Sequence, residues 1–209
     1  MRLRILTVNV QNGEGDSRRM AVLKRGLREL DPDIVALQEV LQGGEHRQLQ
    51  ELLEGTDLCG THQAKAMQYT PPFAERYGGS AVATRWPHRV VEVIDSRSIG
   101  ANDVPWCTLG ALVHLPSLGE LLFIAATSSW RLDAEAAREQ QAIALSDLDA
   151  RQRKDLPTII AGDFNATTMR WPTSSRTKLC VALRVFDFSF GGRKKQRAVS
   201  IDYPRSGGA

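Results

Sequence analysis

The run IIAGDFNATT, residues 159–168, ends an apolar stretch by delivering Asp163 and Asn165, with Phe164 between them. Residues two apart on a strand point to the same side. A carboxylate and an amide thus arrive together at the mouth of a segment that otherwise reads as buried. Two other strand ends share the property. Asn9 and Asn12 lie near the end of RLRILTVNV, and Glu39 follows the short strand read over Ile34 to Gln38. Polar groups at the mouths of buried strands are costly unless something pairs with them. A hard divalent cation is such a partner, and Mg²⁺ takes one or two carboxylates and fills its other positions with water or substrate phosphate. Glu39 suits the metal carboxylate, and Asp163 suits a second acid that orients or deprotonates a water. Asn9 and Asn165 suit neutral donors to a phosphate oxygen, where a further anion would repel the substrate. Singly, each is a turn former or a solvated strand-edge residue. Only the set points to phosphate chemistry.

The elements that must position this set are readable from periodicity. The β-branched alternation of RLRILTVNV predicts a strand over Arg2 to Val10. Asp16 or Ser17 is expected to cap a helix in which Met20, Leu23, Leu27 and Leu30 recur at helical spacing, with Asp31-Pro32 stopping it. A short buried strand is expected over Ile34 to Gln38, then a helix in HRQLQELLEG closed by Gly55. YGGSAVATRWP and HRVVEVIDSRSI are expected to pair, separated by Trp86-Pro87, and the glycines of YGGS read as a tight turn. CTLGALVHLP and ELLFIAATS predict a hairpin across Pro116 to Gly119. LDAEAAREQQAIALSDLDARQRK is the longest predicted helix, with Ala136, Ile143, Leu145 and Leu148 as its apolar positions. LPTIIAGDFN closes the series of clear strands. Hairpins mixed with helices predict a layered α/β domain with mixed sheets, without strict βαβ repetition. No glycine-rich phosphate loop of the nucleotide-binding kinds occurs.

At 209 residues, 42% hydrophobic and 24% charged, the chain reads as one globular unit. No run reaches the roughly 18 apolar residues of a membrane helix. Charges in the first positions and the lack of a small-residue cleavage site argue against a signal peptide. Cys59, Cys107 and Cys180 are isolated and odd in number, which suits reduced thiols. The expectation is a cytoplasmic monomer. The net charge of +3 is unevenly spread. Residues 1–167 carry 18 Lys and Arg against 22 Asp and Glu (−4), whereas residues 168–209 carry 9 against 2 (+7). The basic excess belongs to the last fifth of the chain, which suits a contact with nucleic acid or anionic lipid or a disordered tail, the last preferred.

TVNVQN, DPDIVALQEV, YGGSAVATRWP and IIAGDFNAT, in that order, resemble four motifs of the endonuclease/exonuclease/phosphatase superfamily of metal-dependent phosphoesterases. The resemblance covers residues 3 to about 167. It implies a four-layered α/β sandwich, two mixed sheets flanked by helices, with the site at the sheet mouths. It also implies hydrolysis of a phosphate ester with Mg²⁺ or Mn²⁺. Carried over by position, Glu39 binds the metal and Asn9 contacts metal or phosphate. Asp163 positions the nucleophilic water and Asn165 steadies the phosphate. Asn12, Thr127 and Arg138 are the expected substrate-binding residues. The implied partner is a phosphate-ester substrate, with nucleic acid among the candidates.

The chain departs from the family pattern in two places. The family carries a Thr-His pair at the end of a central strand. Here FIAATSSWRLDAEAAREQQ puts Thr127 in the His place, although the following helix, with Arg138 and Gln141, resembles the family's. A threonine hydroxyl donates a hydrogen bond but carries no positive charge. The family ends on Ser-Asp-His, yet His46, His62, His88 and His114 all precede GDFN. The expectation is therefore a domain over 1–167 and a divergent basic tail over 168–209, poorly ordered and leaving one sheet incomplete at its C-terminal side. VALRVFDFSF is its one candidate strand, Val181 to Phe190, and SIDYP only faintly matches the family's closing strand. A truncated or frame-shifted remnant, a genuine alternative ending and a basic nucleic-acid-binding extension all stay open, the first preferred. Impaired hydrolysis is the expected activity. An inactive phosphate- or nucleic-acid-binding remnant of the same fold is the alternative.

Overall fold

A computed structural model describes residues 2–14, 16, 18–67, 74–100, 106–165, 183–189 and 199–201. The first unit is β1 (Arg2–Asn9), α1 (Arg19–Leu30) and β2 (Ile34–Val40). A two-residue ribbon follows, β3 (Gln42–Gly43) and β4 (His46–Arg47), then α2 (Gln48–Leu53), β5 (Cys59–His62), α3 (Gln63–Ala66) and α4 (Ala74–Tyr77). β6 (Gly79–Thr84), β7 (His88–Asp95), a 3-10 turn (Ser96–Ile99), β8 (Cys107–Leu115) and β9 (Gly119–Thr127) lead to α5 (Glu135–Arg153) and β10 (Thr158–Asp163). β11 (Leu183–Ser189) and β12 (Val199–Ile201) come last.

Two sheets face one another, in strand order β12-β11-β1-β2-β6-β5 and β10-β9-β8-β7. Alternation along β1 decides what each face buries. Leu3 and Ile5 join Ile34, Ala36 and Val82 against Leu109, Ala111, Val113, Phe123, Ile159 and Ala161 of the second sheet. Leu6 and Val8 take the opposite face, with Val35, Leu37, Ala81 and Ala83, against Leu23 and Leu27 of α1 and Leu49 and Leu52 of α2. On the far side Leu148 and Leu145 of α5 cover Leu112, Leu122 and Ile124. Helix, sheet, sheet, helix is the expected four-layered sandwich.

Several expected elements are corrected. β6 and β7 do not pair across Trp86-Pro87: β6 lies between β2 and β5, whereas β7 pairs with β8 in the other sheet. The chain changes layers at that break instead of folding back. α1 takes Arg18 as its N-cap, with no side-chain cap bond; Asp16 accepts instead from the Arg18 backbone N–H at 2.8 Å. Ser17 lies outside the described residues. Ala136 and Ile143, expected among the apolar positions of α5, are exposed, whereas Leu145 and Leu148 face the sheet. β8 and β9 form the predicted hairpin, and β9 pairs in parallel with β10. The candidate strand of the tail is β11, antiparallel to β1, and β12 includes Ser200 and Ile201. The six-stranded sheet thus extends past β1. Among the described residues the four-stranded sheet ends at β10. The rest of the tail reading lies outside the described residues.

Candidate active site

The inner row of β1, Leu3-Ile5-Thr7, ends at Asn9, and the inner row of β10, Ile159-Ala161, ends at Asp163. The two rows face each other across the core, so their polar ends meet at its mouth. Asn9 Nδ2 donates to Asp163 Oδ2 at 3.0 Å and to Glu39 Oε1 at 2.8 Å. Asn12 Nδ2 donates to the other Glu39 oxygen, Oε2, at 3.2 Å. Glu39, Asp163, Asn9 and Asn12 therefore form one connected cluster, although they are drawn from three segments of the chain.

Glu39 reaches this cluster through a fault in its strand. In a regular β2, Glu39 would follow Val35 and Leu37 toward α1 and α2. The pairing of β2 with β6 instead shifts between Leu37 and Val40, and Glu39 adopts φ 57°. This bulge turns Glu39 to the mouth and returns Val40 to the helix-side core. Gly78, at φ 71°, lies against the bulge. A Cβ there would stand 2.6 Å from the Glu39 carbonyl carbon and 2.7 Å from that of Val40. The first glycine of YGGS is thus a close-approach residue that admits no side chain, and the expectation of a simple tight turn is too small.

Gln11 (φ 58°), Asn12 (φ 45°) and Asn165 (φ 46°) share the left-handed conformation with Glu39. Four of the six non-glycine residues with positive φ among the described residues thus border one site. Such conformations persist where the surroundings over-determine them, and they cluster at functional sites. Asn165 is held by its backbone N–H on Asp163 Oδ1 at 3.2 Å and by its Nδ2 on the Ser128 carbonyl at 3.0 Å. The Ser128 N–H donates to the Asp163 carbonyl at 2.9 Å, locking the end of β10 to the end of β9. Gly162 lets these strands close, since a Cβ would lie 2.0 Å from the Ala126 carbonyl oxygen.

Burial raises the Glu39 carboxyl above its ordinary range. The Asn9 hydrogen bond opposes this, the Asp163 and Glu14 charges add to it, and Arg19 opposes it. Among the described residues no group of three or more His, Cys, Asp or Glu forms a metal cluster. The donor set is two carboxylates with amides around them. That set fits Mg²⁺ or Mn²⁺, which need no all-protein cage, and it lacks the nitrogen and sulfur ligands that zinc prefers. A cation at Glu39 would also offset the proximity of two carboxylates in a half-buried mouth.

The remaining candidates are placed less directly. Thr127 is buried at 2% exposure, and its Oγ1 lies 2.9 Å from Ser80 Oγ; on β9 it is the register partner of Asp163 on β10. Arg138 directs its guanidinium to the Ser129 and Arg131 carbonyls and to Glu135, so its donors hold the β9–α5 loop. None of the four histidines bonds to the Asn9–Glu39–Asp163 cluster. His62 holds the Val40 carbonyl, and His88 lies between Thr84 and Thr61. Sequence reasoning missed Ser128, Ser80, Arg19 and Gln48, all of which act through backbone groups or hydroxyls that leave no spacing signature.

The family description Endonuclease/Exonuclease/phosphatase matches residues 6–203, reaching through β11 and β12. No curated protein sequence matches the chain. Among solved structures the chain is similar to ANGEL2, a 2',3'-cyclic phosphatase (14% identity, 81% of this chain and 54% of that one, TM-score 0.63). It is also similar to the human Nocturnin catalytic domain with bound sulfate (20%, 80% and 65%, TM-score 0.58). A third is D. rerio TDP2 complexed with single-strand DNA product (19%, 79% and 62%, TM-score 0.56). The chain thus spans between about half and two thirds of the length of these structures, and the likeness shows the shared fold. With a match over nearly its whole length, the chain belongs to the Endonuclease/Exonuclease/phosphatase family.

Proposed function

We propose that this chain hydrolyses phosphate esters with a divalent cation, Mg²⁺ or Mn²⁺, held at Glu39. The observation that carries the reading is the Asn9 amide, which donates at once to Glu39 and Asp163 and so fixes two carboxylates from distant segments side by side. Each Glu39 oxygen accepts one amide N–H and keeps acceptor capacity for a cation. When bound, the cation supplies Lewis-acid stabilisation of the phosphoryl oxygens. Asp163 accepts the proton of the attacking water. Asn165 has a second Nδ2 hydrogen beyond the one on Ser128, and donates it to a phosphate oxygen. Asn9 has both amide hydrogens on carboxylates, so it orients the acids instead of contacting phosphate. Arg138 supports the loop beside the site, and Thr127 packs with Ser80.

A nucleic-acid phosphodiester is the substrate class this reading favours. Exposed apolar side chains gather on the two segments joined at Ser128: Trp130 (58% exposed), Leu132 (86%) and Phe164 (41%). Flat aromatic surfaces suit nucleobases, and the TDP2 structure is described with single-strand DNA product. Cytoplasmic placement and a monomeric state belong to the same proposal, and the domain runs past residue 167 to take in β11 and β12, which extend its larger sheet. No helix among the described residues is long and apolar enough to cross a membrane.

Hydrolysis of a chromogenic phosphodiester in Mg²⁺ or Mn²⁺ tests the reading. Turnover that needs the metal and collapses in Glu39→Gln and Asp163→Asn supports it; turnover unchanged in both overturns it. A second reading, a phosphate- or nucleic-acid-binding module without turnover, is favoured by the absence of any histidine from the cluster. It predicts ligand binding with wild-type turnover no better than Asp163→Asn.

A further inference from the structure

The segment Gln11–Glu14 places Asn12 against Glu39, and it does so in a costly conformation. Gln11, Asn12 and Glu39 all have positive φ. Local bonds hold it in part: the Gln11 N–H donates to Asn9 Oδ1 at 2.8 Å, and the Glu14 N–H to Asn12 Oδ1 at 3.0 Å. Two side chains from outside it add further restraint. Arg19, the half-buried first residue of α1, donates to the Gln11 carbonyl at 3.0 Å, the Asn12 carbonyl at 3.2 Å, the Gln11 Oε1 at 3.1 Å and the Glu14 carbonyl. Gln48, the buried first residue of α2, donates from Nε2 to the same Asn12 carbonyl at 2.7 Å and accepts the Leu41 N–H on Oε1 at 2.7 Å. Leu41 lies two residues past Glu39. Gln48 thus measures the Asn12 segment against the strand that carries Glu39. The Asn12 N–H completes the frame on the Glu39 carbonyl at 2.8 Å.

We propose that Arg19 and Gln48 are positioning residues: through the Asn12 carbonyl they hold the Asn12 amide on Glu39 and set the affinity of that carboxylate for a divalent cation. The proposal rests on the metal-dependent reading above. Arg19 contributes a forked, permanently charged donor that satisfies several carbonyls of one tight turn, and Gln48 contributes a fixed spacing between two strand ends. Neither touches the reacting atoms.

The test is calorimetric titration of Mn²⁺ into the full chain, compared with Arg19→Met, Gln48→Met, Asn12→Ala, the Arg19→Met/Asn12→Ala double variant and Glu39→Gln. Arg85→Met serves as control, because Arg85 pairs with Asp31, Asp33 and Asp57 at the opposite end of β2. Losing an outer-shell partner typically weakens metal affinity about 10- to 100-fold, and that loss is expected for Arg19→Met and Gln48→Met. In the Asn12→Ala background the Arg19 substitution should cost almost nothing, since its lever is gone. Arg85→Met should lower the thermal midpoint and leave Mn²⁺ affinity unchanged. Wild-type affinity in both Arg19→Met and Gln48→Met, or additive losses in the double variant, overturns the proposal alone. Mn²⁺ binding that is equal in Glu39→Gln and wild type overturns the parent reading with it. Should Arg19→Met fail to fold, Gln48→Met and Arg19→Lys carry the same comparison.

Discussion

At the scale of single residues, the cluster divides into groups that react and groups that aim them. Among the described residues Asp163 is the only carboxylate bonded to Asn9 besides Glu39, and it is the proposed acceptor of the water's proton. Asp163→Asn is therefore expected to lower kcat by about 10²- to 10⁴-fold, the usual worth of a general base, with the thermal midpoint nearly unchanged. Steady-state kinetics beside a melting curve check this; full activity would remove Asp163 from the chemistry. Gly78 aims Glu39 by yielding space. Gly78→Ala forces a Cβ to 2.6 Å from the Glu39 carbonyl carbon at φ 71°. Its expected cost is roughly 2–4 kcal/mol of stability, from backbone strain and overpacking together. Denaturant unfolding measures that cost.

At the scale of elements, the bulge in β2 depends on its neighbours. His62, ending β5, lies 3.0 Å from the Val40 carbonyl through Nε2, and its Nδ1 accepts the Ala64 N–H at 3.1 Å. Those bonds require a neutral ring with its proton on Nε2. Burial lowers the His62 pKa from 6.5 to about 4. Below pH 6.5 the unfolded chain therefore binds a proton that the folded chain refuses. The stabilisation is full above 6.5 and is lost as pH falls toward 4. The loss comes to roughly 3 kcal/mol, because each pH unit between the two values is worth about 1.36 kcal/mol. Urea unfolding across that window should show the slope, and His62→Gln should flatten it. The parallel pairing of β9 with β10 has its own requirement. Gly162→Ala should uncouple Asp163 from Ser128, because the new methyl meets the Ala126 carbonyl; loss of activity and cooperative stability together is the expected result. The β8–β9 hairpin was legible because Pro116 to Gly119 is strong turn chemistry between two apolar runs. The β6–β7 pairing was misread for the same reason. Trp86-Pro87 looks like a hairpin turn, and only the need to bury both faces of a two-sheet core sends β7 to the other layer. The Glu39 bulge had no sequence signal, since strand period cannot show where a ladder slips a residue.

At the scale of the whole molecule, the site exists because two sheets pack face to face and end their inner rows together. Phe123 sits fully buried between them. Phe123→Ala is expected to cost about 3–5 kcal/mol, and to weaken metal binding as well, because Asn9 and Asp163 reach each other only across that core. Convergence of Asn9, Glu39 and Asp163 was legible from residue types at strand ends. The supports were not: Arg19, Gln48 and Ser128 act on backbone carbonyls and amides, which no side-chain pattern announces. The tail was legible in part: β11 arises within VALRVFDFSF, whereas SIDYP, only a faint match, gave little sign of β12. The most direct test of the central claim is a crystal structure grown with Mn²⁺ and read by anomalous scattering. The account predicts a peak within coordination distance of Glu39, on the side facing Asp163. Full occupancy elsewhere, with Glu39 and Asp163 bare at saturating Mn²⁺, would contradict it.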